Sequence, residues 1–163
     1  MKIGIISDTH LSSGNCALPE KLAAEFKSCG IIIHAGDLVE TCVLDELGKI
    51  GKVDAVYGNM DSYSVKSKLE YKKTMIVEGK KICVMHGYGH PDKLEEVLKN
   101  EFFSEKPDII IFGHSHAPKN EYIDGVLFFN PGSPTDTIFA KINTYGILDV
   151  TDLGIEGTIE RLR

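Results

Sequence analysis

Seven metal-binding side chains between positions 8 and 116 stand at the ends of apolar runs: Asp8, His10, Asp37, Asn59, His86, His114 and His116. They occur as Asp8-Thr9-His10, Gly36-Asp37, Gly58-Asn59, a single His86, and Gly113-His114-Ser115-His116. Two carboxylates, one amide oxygen and four imidazoles exceed what one ion needs, and they suit two divalent ions with Asp37 bridging them. Imidazole and carboxylate donors without thiolate suit Mn²⁺, Fe²⁺, Ni²⁺, Co²⁺ or Zn²⁺ in a reactive site rather than a structural zinc or an iron–sulfur cluster. Asp8 and His10, two positions apart on a strand-like segment, can face the same side. The glycines before Asp37, Asn59 and His114 are expected to let the backbone bend off a strand and to leave room for a substrate. Each piece alone has a structural explanation: Asp37 could cap a helix, Asn59 is a common turn residue, Asp8-Thr9-His10 could be a turn with an N-cap, and the His114–His116 pair could be incidental.

What sets the group apart is its position relative to the elements that must carry it. Each piece follows a short apolar run: Lys2–Ser7, Ile31–Ile33, Val53–Tyr57, Lys81–Met85 and Ile109–Phe112. These runs read as buried strands, and in an open α/β sheet ligands bind in the crevice outside the carboxyl ends of the strands. Between them, Pro19–Cys29 reads as a helix, with Pro19 in its first turn, Leu22, Ala23 and Phe26 as its apolar stripe, and Gly30 as its stop. Thr41–Ile50 and Pro91–Phe103 read as helices by the same periodicity, the latter broken by Lys106-Pro107-Asp108. Glu78-Gly79-Lys80 and Asp124-Gly125 read as hairpin turns, joining Met75–Val77 to Lys81–Met85 and Glu121–Ile123 to Val126–Phe129. Tyr145–Val150 and Gly157–Arg161 complete the strands. Strand–helix alternation giving way to hairpins predicts one α/β (α+β) domain over residues 1–163, built as two stacked mixed β-sheets flanked by helices, four layers in all.

Composition narrows the function. The 163 residues suffice for one core without a structural metal or disulfide. With 18 Lys+Arg against 24 Asp+Glu the net charge is −6, which argues against a nucleic-acid backbone as partner but not against a small anion held by metal. Cys16, Cys29, Cys42 and Cys83 form no Cys-x-x-Cys pair and read as four reduced, packed thiols, which favours a cytoplasmic location. No segment approaches the roughly 18 apolar residues of a membrane span, and the start of the chain does not read as a secretory signal.

The five motifs resemble those of the calcineurin-like metallophosphoesterases, and Asn130-Pro131-Gly132-Ser133 resembles the segment that follows the last motif in the small bacterial and archaeal phosphodiesterases of that superfamily. The resemblance implies an αββα sandwich. It implies one metal at Asp8, His10, Asp37 and His116, a second at Asp37, Asn59, His86 and His114, and hydrolysis of a P–O bond by a hydroxide bridging two divalent metals. Mn²⁺ is the first expectation for both ions, ahead of Ni²⁺, Co²⁺, Fe²⁺, Zn²⁺ and Mg²⁺. Many members carry a histidine after the motif asparagine, thought to act as general acid. Here that residue is Met60, and a thioether cannot donate a proton. The residues expected to carry catalysis are Asp37, Asn59, His86 and His90, the last either as the replacement acid or, alternatively, as a solvated loop histidine beside Pro91. His34 reads as a buried histidine orienting a neighbour, and Asp61 either as a carboxylate supporting a ligand or as a turn residue. The expected substrate is a small phosphodiester, with no membrane partner and no nucleic acid. Pairing of an exposed edge strand could give a homodimer or higher homo-oligomer. The alternative is a non-catalytic scaffold of the retromer-subunit type, which shares the fold but has lost a ligand histidine. A metal-dependent nuclease is a third reading, disfavoured by Met60 and the acidic balance.

Overall fold

The computed structural model describes residues 1–12 and 14–162. In chain order the elements are β1 (Lys2–Ile6), α1 (Glu20–Phe26), β2 (Ile31–His34), α2 (Cys42–Gly48), β3 (Val53–Ala55), α3 (Tyr63–Lys66), β4 (Lys72–Val77), β5 (Lys80–Met85), a 3-10 turn at Pro91–Lys93, α4 (Leu94–Glu101), β6 (Ile109–Ile111), β7 (Lys119–Ile123), β8 (Val126–Asn130), β9 (Thr144–Val150) and β10 (Ile155–Arg161).

They form two five-stranded mixed sheets, ordered β10-β9-β1-β2-β3 and β4-β5-β6-β8-β7. Strands β1, β2 and β3, the last at the sheet's edge, run parallel in the first sheet, and the interior strands β5, β6 and β8 in the second. Antiparallel strands complete both sheets.

Alternation along each strand assigns its two faces. Ile3 and Ile5 of β1 and Ile31 and Ile33 of β2 pack into the sandwich against Ile82, Val84, Ile109, Ile111 and Phe129 of the second sheet. Ile6 and Ile32 point the other way, onto Leu22 and Phe26 of α1 and Val43 and Leu47 of α2. On the far side, Cys83, Met85 and Ile110 meet Leu94 and Leu98 of α4, with Phe102 just beyond it. The layers are helix, sheet, sheet and helix, the expected αββα sandwich. Strands covered on both faces have no polar alternation, which is why they read in sequence as unbroken apolar runs. Each fully buried Ile or Phe here contributes about 1.5–3 kcal/mol.

Three details depart from the sequence expectations. The helix expected over Pro91–Phe103 is divided: Pro91 opens a 3-10 turn, and α4 begins only at Leu94. The short helix α3 has too few residues for a periodic signal and was not anticipated. The four thiols are not all free: Cys16 and Cys42 form a disulfide, with Cα atoms 6.0 Å apart, and Cys29 and Cys83 remain reduced. The Cys16–Cys42 spacing has no motif signature, because the two positions meet only when the β1–α1 connection lies against the first residue of α2. The cysteines therefore give no support to a reducing compartment. Among the described residues no helix is long and apolar enough to cross a membrane.

Candidate metal centre

The connections leaving β1, β2, β3, β5 and β6 converge on one edge of the sandwich. Backbone hydrogen bonds stitch them together. Asp8 N–H donates to Gly36 O at 3.0 Å, His10 N–H to Asp37 O at 3.1 Å, and Gly113 N–H to His86 O at 3.0 Å. The connection after β8 joins them: Asn130 Nδ2 donates to Gly113 O at 2.8 Å, and Ser133 Oγ donates to Asp8 O at 2.6 Å. The sharp departures from the strands put Asp8, His10, Asp37, His114 and His116 in the left-handed region, with φ between 47° and 68°. Non-glycine residues there are uncommon and are held in place only when their surroundings over-determine them.

The result is two donor groups. Asp8, His10 and His116 offer one set of atoms within 4.8 Å of one another, and Asp8, Asp37 and His86 offer another. Asp8 is shared by both, whereas the sequence resemblance assigns the shared role to Asp37. Asp37 nonetheless also reaches both: its Oδ2 lies 3.2 Å from His86 Nε2 and 3.7 Å from His10 Nε2. Asn59 and His114 stand beside these groups and meet each other, Asn59 Oδ1 to His114 Nδ1 at 3.1 Å. The His114 ring packs edge-on to that of His86, centroids 5.4 Å apart.

Whether these residues fit a metal is decided by His86. Its Nδ1 lies 2.8 Å from the Ala35 carbonyl oxygen and donates to it. In the neutral ring this leaves a lone pair on Nε2, which is buried without a hydrogen-bond partner. That atom faces Asp37 Oδ2 at 3.2 Å and Asp8 Oδ1 at 3.7 Å. A lone pair opposed to two buried carboxylates is tolerable only when a positive charge, a proton or a metal ion, lies among them. Burial pushes the His86 pKa down, but Asp37 and Asp8 outweigh it and hold it above the ordinary imidazole value. His116 repeats the logic. Its Nε2 faces Asp8 Oδ1 at 3.3 Å and His10 Nε2 at 3.2 Å. The Asp8 contact, against burial and with help from Asp136, raises its pKa to about 9. Burial alone would push the Asp8 carboxyl up, yet the surrounding imidazoles hold it well below the usual carboxylate range. The donor set therefore fits divalent cations.

Several residues support the donors. His34 is fully buried, contacts Thr9 Oγ1 through Nε2 at 3.1 Å and accepts from Gly36 N–H through Nδ1 at 3.2 Å. It orients neighbours, as the sequence suggested. Asp61 accepts from the N–H groups of Asp37 (3.1 Å), Val39 (2.6 Å) and Gly58 (2.7 Å), so one carboxylate pins the Asp37 and Asn59 connections together. His90 is not brought to the cluster. Its side chain is 72% exposed and accepts from Asp92 N–H at 3.3 Å, capping the 3-10 turn. The glycines also correct an expectation. A Cβ at Gly113 would lie 2.6 Å from Asp8 Oδ2, and one at Gly36, whose φ is +95°, would lie 2.7 Å from His86 Cβ. The room they leave is filled by Ser7, Asp8 and His86, not kept for a substrate. Asp136 was missed. Its Oδ2 accepts from His116 Nδ1 at 2.5 Å, the carboxylate contact that fixes the tautomer and direction of a metal-binding histidine. It lies in a loop without periodicity, where its sequence neighbours gave no signal.

The chain matches the calcineurin-like phosphoesterase superfamily domain over residues 1–153 and belongs to that family. It is 38% identical over 138 residues to a probable metallophosphoesterase of Methanocaldococcus jannaschii, covering 83% of this chain and 69% of the relative. It is 31% identical over 161 residues to a phosphodiesterase of the same archaeon, covering 91% and 93%. Among solved structures it resembles an archaeal phosphodiesterase with TM-score 0.78 at 29% identity over 98% of this chain and 100% of that one. It shares the fold of Vps29 from Chaetomium thermophilum with TM-score 0.86 at 20% identity, over 99% and 89%.

Two outcomes follow from this packing. Gly113→Ala should destabilise the protein by about 1–3 kcal/mol and weaken metal binding, as read by urea denaturation and calorimetry; unchanged values for both would contradict the close approach. Burial holds the His34 pKa at about 3, against the pull of Asp8. Between that value and the unfolded value near 6.5 only the unfolded chain takes up this proton. Stability from this residue is thus present above pH ~6.5 and falls by about 1.4 kcal/mol per unit as pH drops toward 3. His34→Gln should flatten the metal-free protein's stability profile between pH 6 and 4, and an unaltered slope would contradict the assignment.

Proposed function

We propose that this chain is a metal-dependent phosphodiesterase that hydrolyses a small phosphodiester with two divalent ions, Mn²⁺ first among them. The observation that carries the reading is the orphaned, buried Nε2 of His86 aimed between Asp8 and Asp37, in a chain of metallophosphoesterase descent. One ion would be held by Asp8, His10, Asp37 and His116, the other by Asp37, Asn59, His86 and His114. When bound, such ions supply an activated water at neutral pH and offset charge developing on the phosphoryl oxygens.

The chain's own residues then divide the remaining work. The N–H of Met60 donates to Asp37 Oδ1 at 2.8 Å and fixes one carboxylate oxygen, leaving the other toward the donor cluster. Asp8 accepts from the N–H of His114 at 3.1 Å and from Ser7 Oγ at 2.7 Å, so it is held by the last motif and by its own strand. Asp136 holds His116 and Ala35 holds His86, each through Nδ1, so that both Nε2 atoms face inward.

Two features favour a diester with a weakly basic leaving group. No Lys or Arg is among the described residues lining the cleft over the centre, so the second negative charge of a monoester would find no cationic side chain. Three candidate acids are poorly placed to protonate the leaving oxygen: Met60 has no proton to give, His114 Nε2 is engaged with Gly89 O at 2.8 Å, and His90 is turned outward.

The test is hydrolysis of bis(p-nitrophenyl) phosphate and p-nitrophenyl phosphate by metal-stripped protein with and without Mn²⁺. The diester is expected to turn over faster, only with metal. Asp37→Ala should abolish turnover, and His86→Phe should lower it by about 100-fold or more. Full activity in either variant would sink the assignment, and bound metal without any turnover would turn the reading toward a scaffold.

A further inference from the structure

The cleft over the donor cluster, about 590 Å³, has a second wall that metal binding does not use: Met60, Pro91, Ile138 and Phe139. Met60 is 57% exposed, Ile138 81% and Phe139 76%. Single exposed apolar side chains need no explanation, but several gathered on one wall of a polar site mark a contact surface.

This wall is built rather than incidental. Asp136, which holds His116, also accepts from the N–H of Ile138 (2.8 Å), of Phe139 (3.1 Å) and of Ala140 (2.9 Å). One carboxylate thus fixes both a metal-site imidazole and the backbone that displays the apolar side chains. The Phe139 ring meets the His116 ring edge-on, centroids 5.8 Å apart at 86°. Phe139 therefore stands directly beside an atom set that faces the phosphate position. Two acidic residues, Asp37 and Asp136, also line the cleft, and no Lys or Arg does so among the described residues. A second anionic group on the substrate would meet those carboxylates there and no cationic side chain among the described residues. A flat uncharged ring would instead meet a phenyl ring, an aliphatic chain and a thioether, each a favourable neighbour for an aromatic face or edge.

We propose that Met60, Ile138 and Phe139 form a subsite for an aromatic group esterified to the phosphate, so that the enzyme selects aryl-bearing phosphodiesters over purely aliphatic ones. The inference rests on the phosphoesterase reading and names the substrate class of that site.

Calorimetric titration of the Mn²⁺-loaded protein with phenylphosphonate and methylphosphonate tests it without turnover, because the two share an anionic head and differ in the ring. Phenylphosphonate is expected to bind about tenfold tighter. Phe139→Ala and Ile138→Ser are each expected to narrow that gap to about threefold or less. Equal affinities in the unaltered protein, or a gap kept in both variants, would overturn the subsite and leave the phosphoesterase reading standing. Failure of both phosphonates to bind, together with no diester turnover, would overturn both.

Discussion

Two carboxylates, Asp8 and Asp37, are buried within reach of one another's partners at the edge of a two-sheet sandwich, and much of the local structure follows from the need to neutralise them. Burying an ionised carboxylate without a counter-charge costs far more than a small domain's net stability can absorb. Here the imidazoles of His10, His86 and His116 surround the pair, and two of them are held above their ordinary pKa by it. Without metal, a proton held on His116 would stand in for part of that positive charge, and metal binding would have to displace it.

The fold exists to hold that balance. Parallel strands in each sheet deliver the donors to one edge, and the turns that carry them off the strands adopt left-handed conformations that side chains do not choose on their own. Around them Asp61, Asp136, Ser133 and the Ala35 carbonyl fix the donors' directions by hydrogen bonds. The same Asp136 continues the order outward into the Ile138–Phe139 wall, so the candidate metal centre and the cleft above it are one unit.

Most of the donor cluster was legible in the sequence, because β-strands buried on both faces appear as unbroken apolar runs and the residue after each run falls at the sheet edge. The four layers were legible for the same reason, once alternation of strand and helix signals gave way to hairpins. Less visible were features that depend on distance through space. The Cys16–Cys42 pair has no spacing signature. Asp136 sits in an aperiodic loop, and its partner His116 is 20 residues away. The sequence also left His90 open between two roles, and its side chain caps its own turn because Pro91 begins a 3-10 segment there. The glycines at 36 and 113 were rightly singled out for close approach, but what approaches is the protein's own Asp8 and His86.

The most direct test of the central claim is anomalous diffraction at the manganese edge from crystals grown with Mn²⁺. The account predicts two peaks at the strand edge, one among Asp8, His10 and His116 and one beside Asp37 and His86. No peak within the cluster, or one ion only at saturating Mn²⁺, would contradict it.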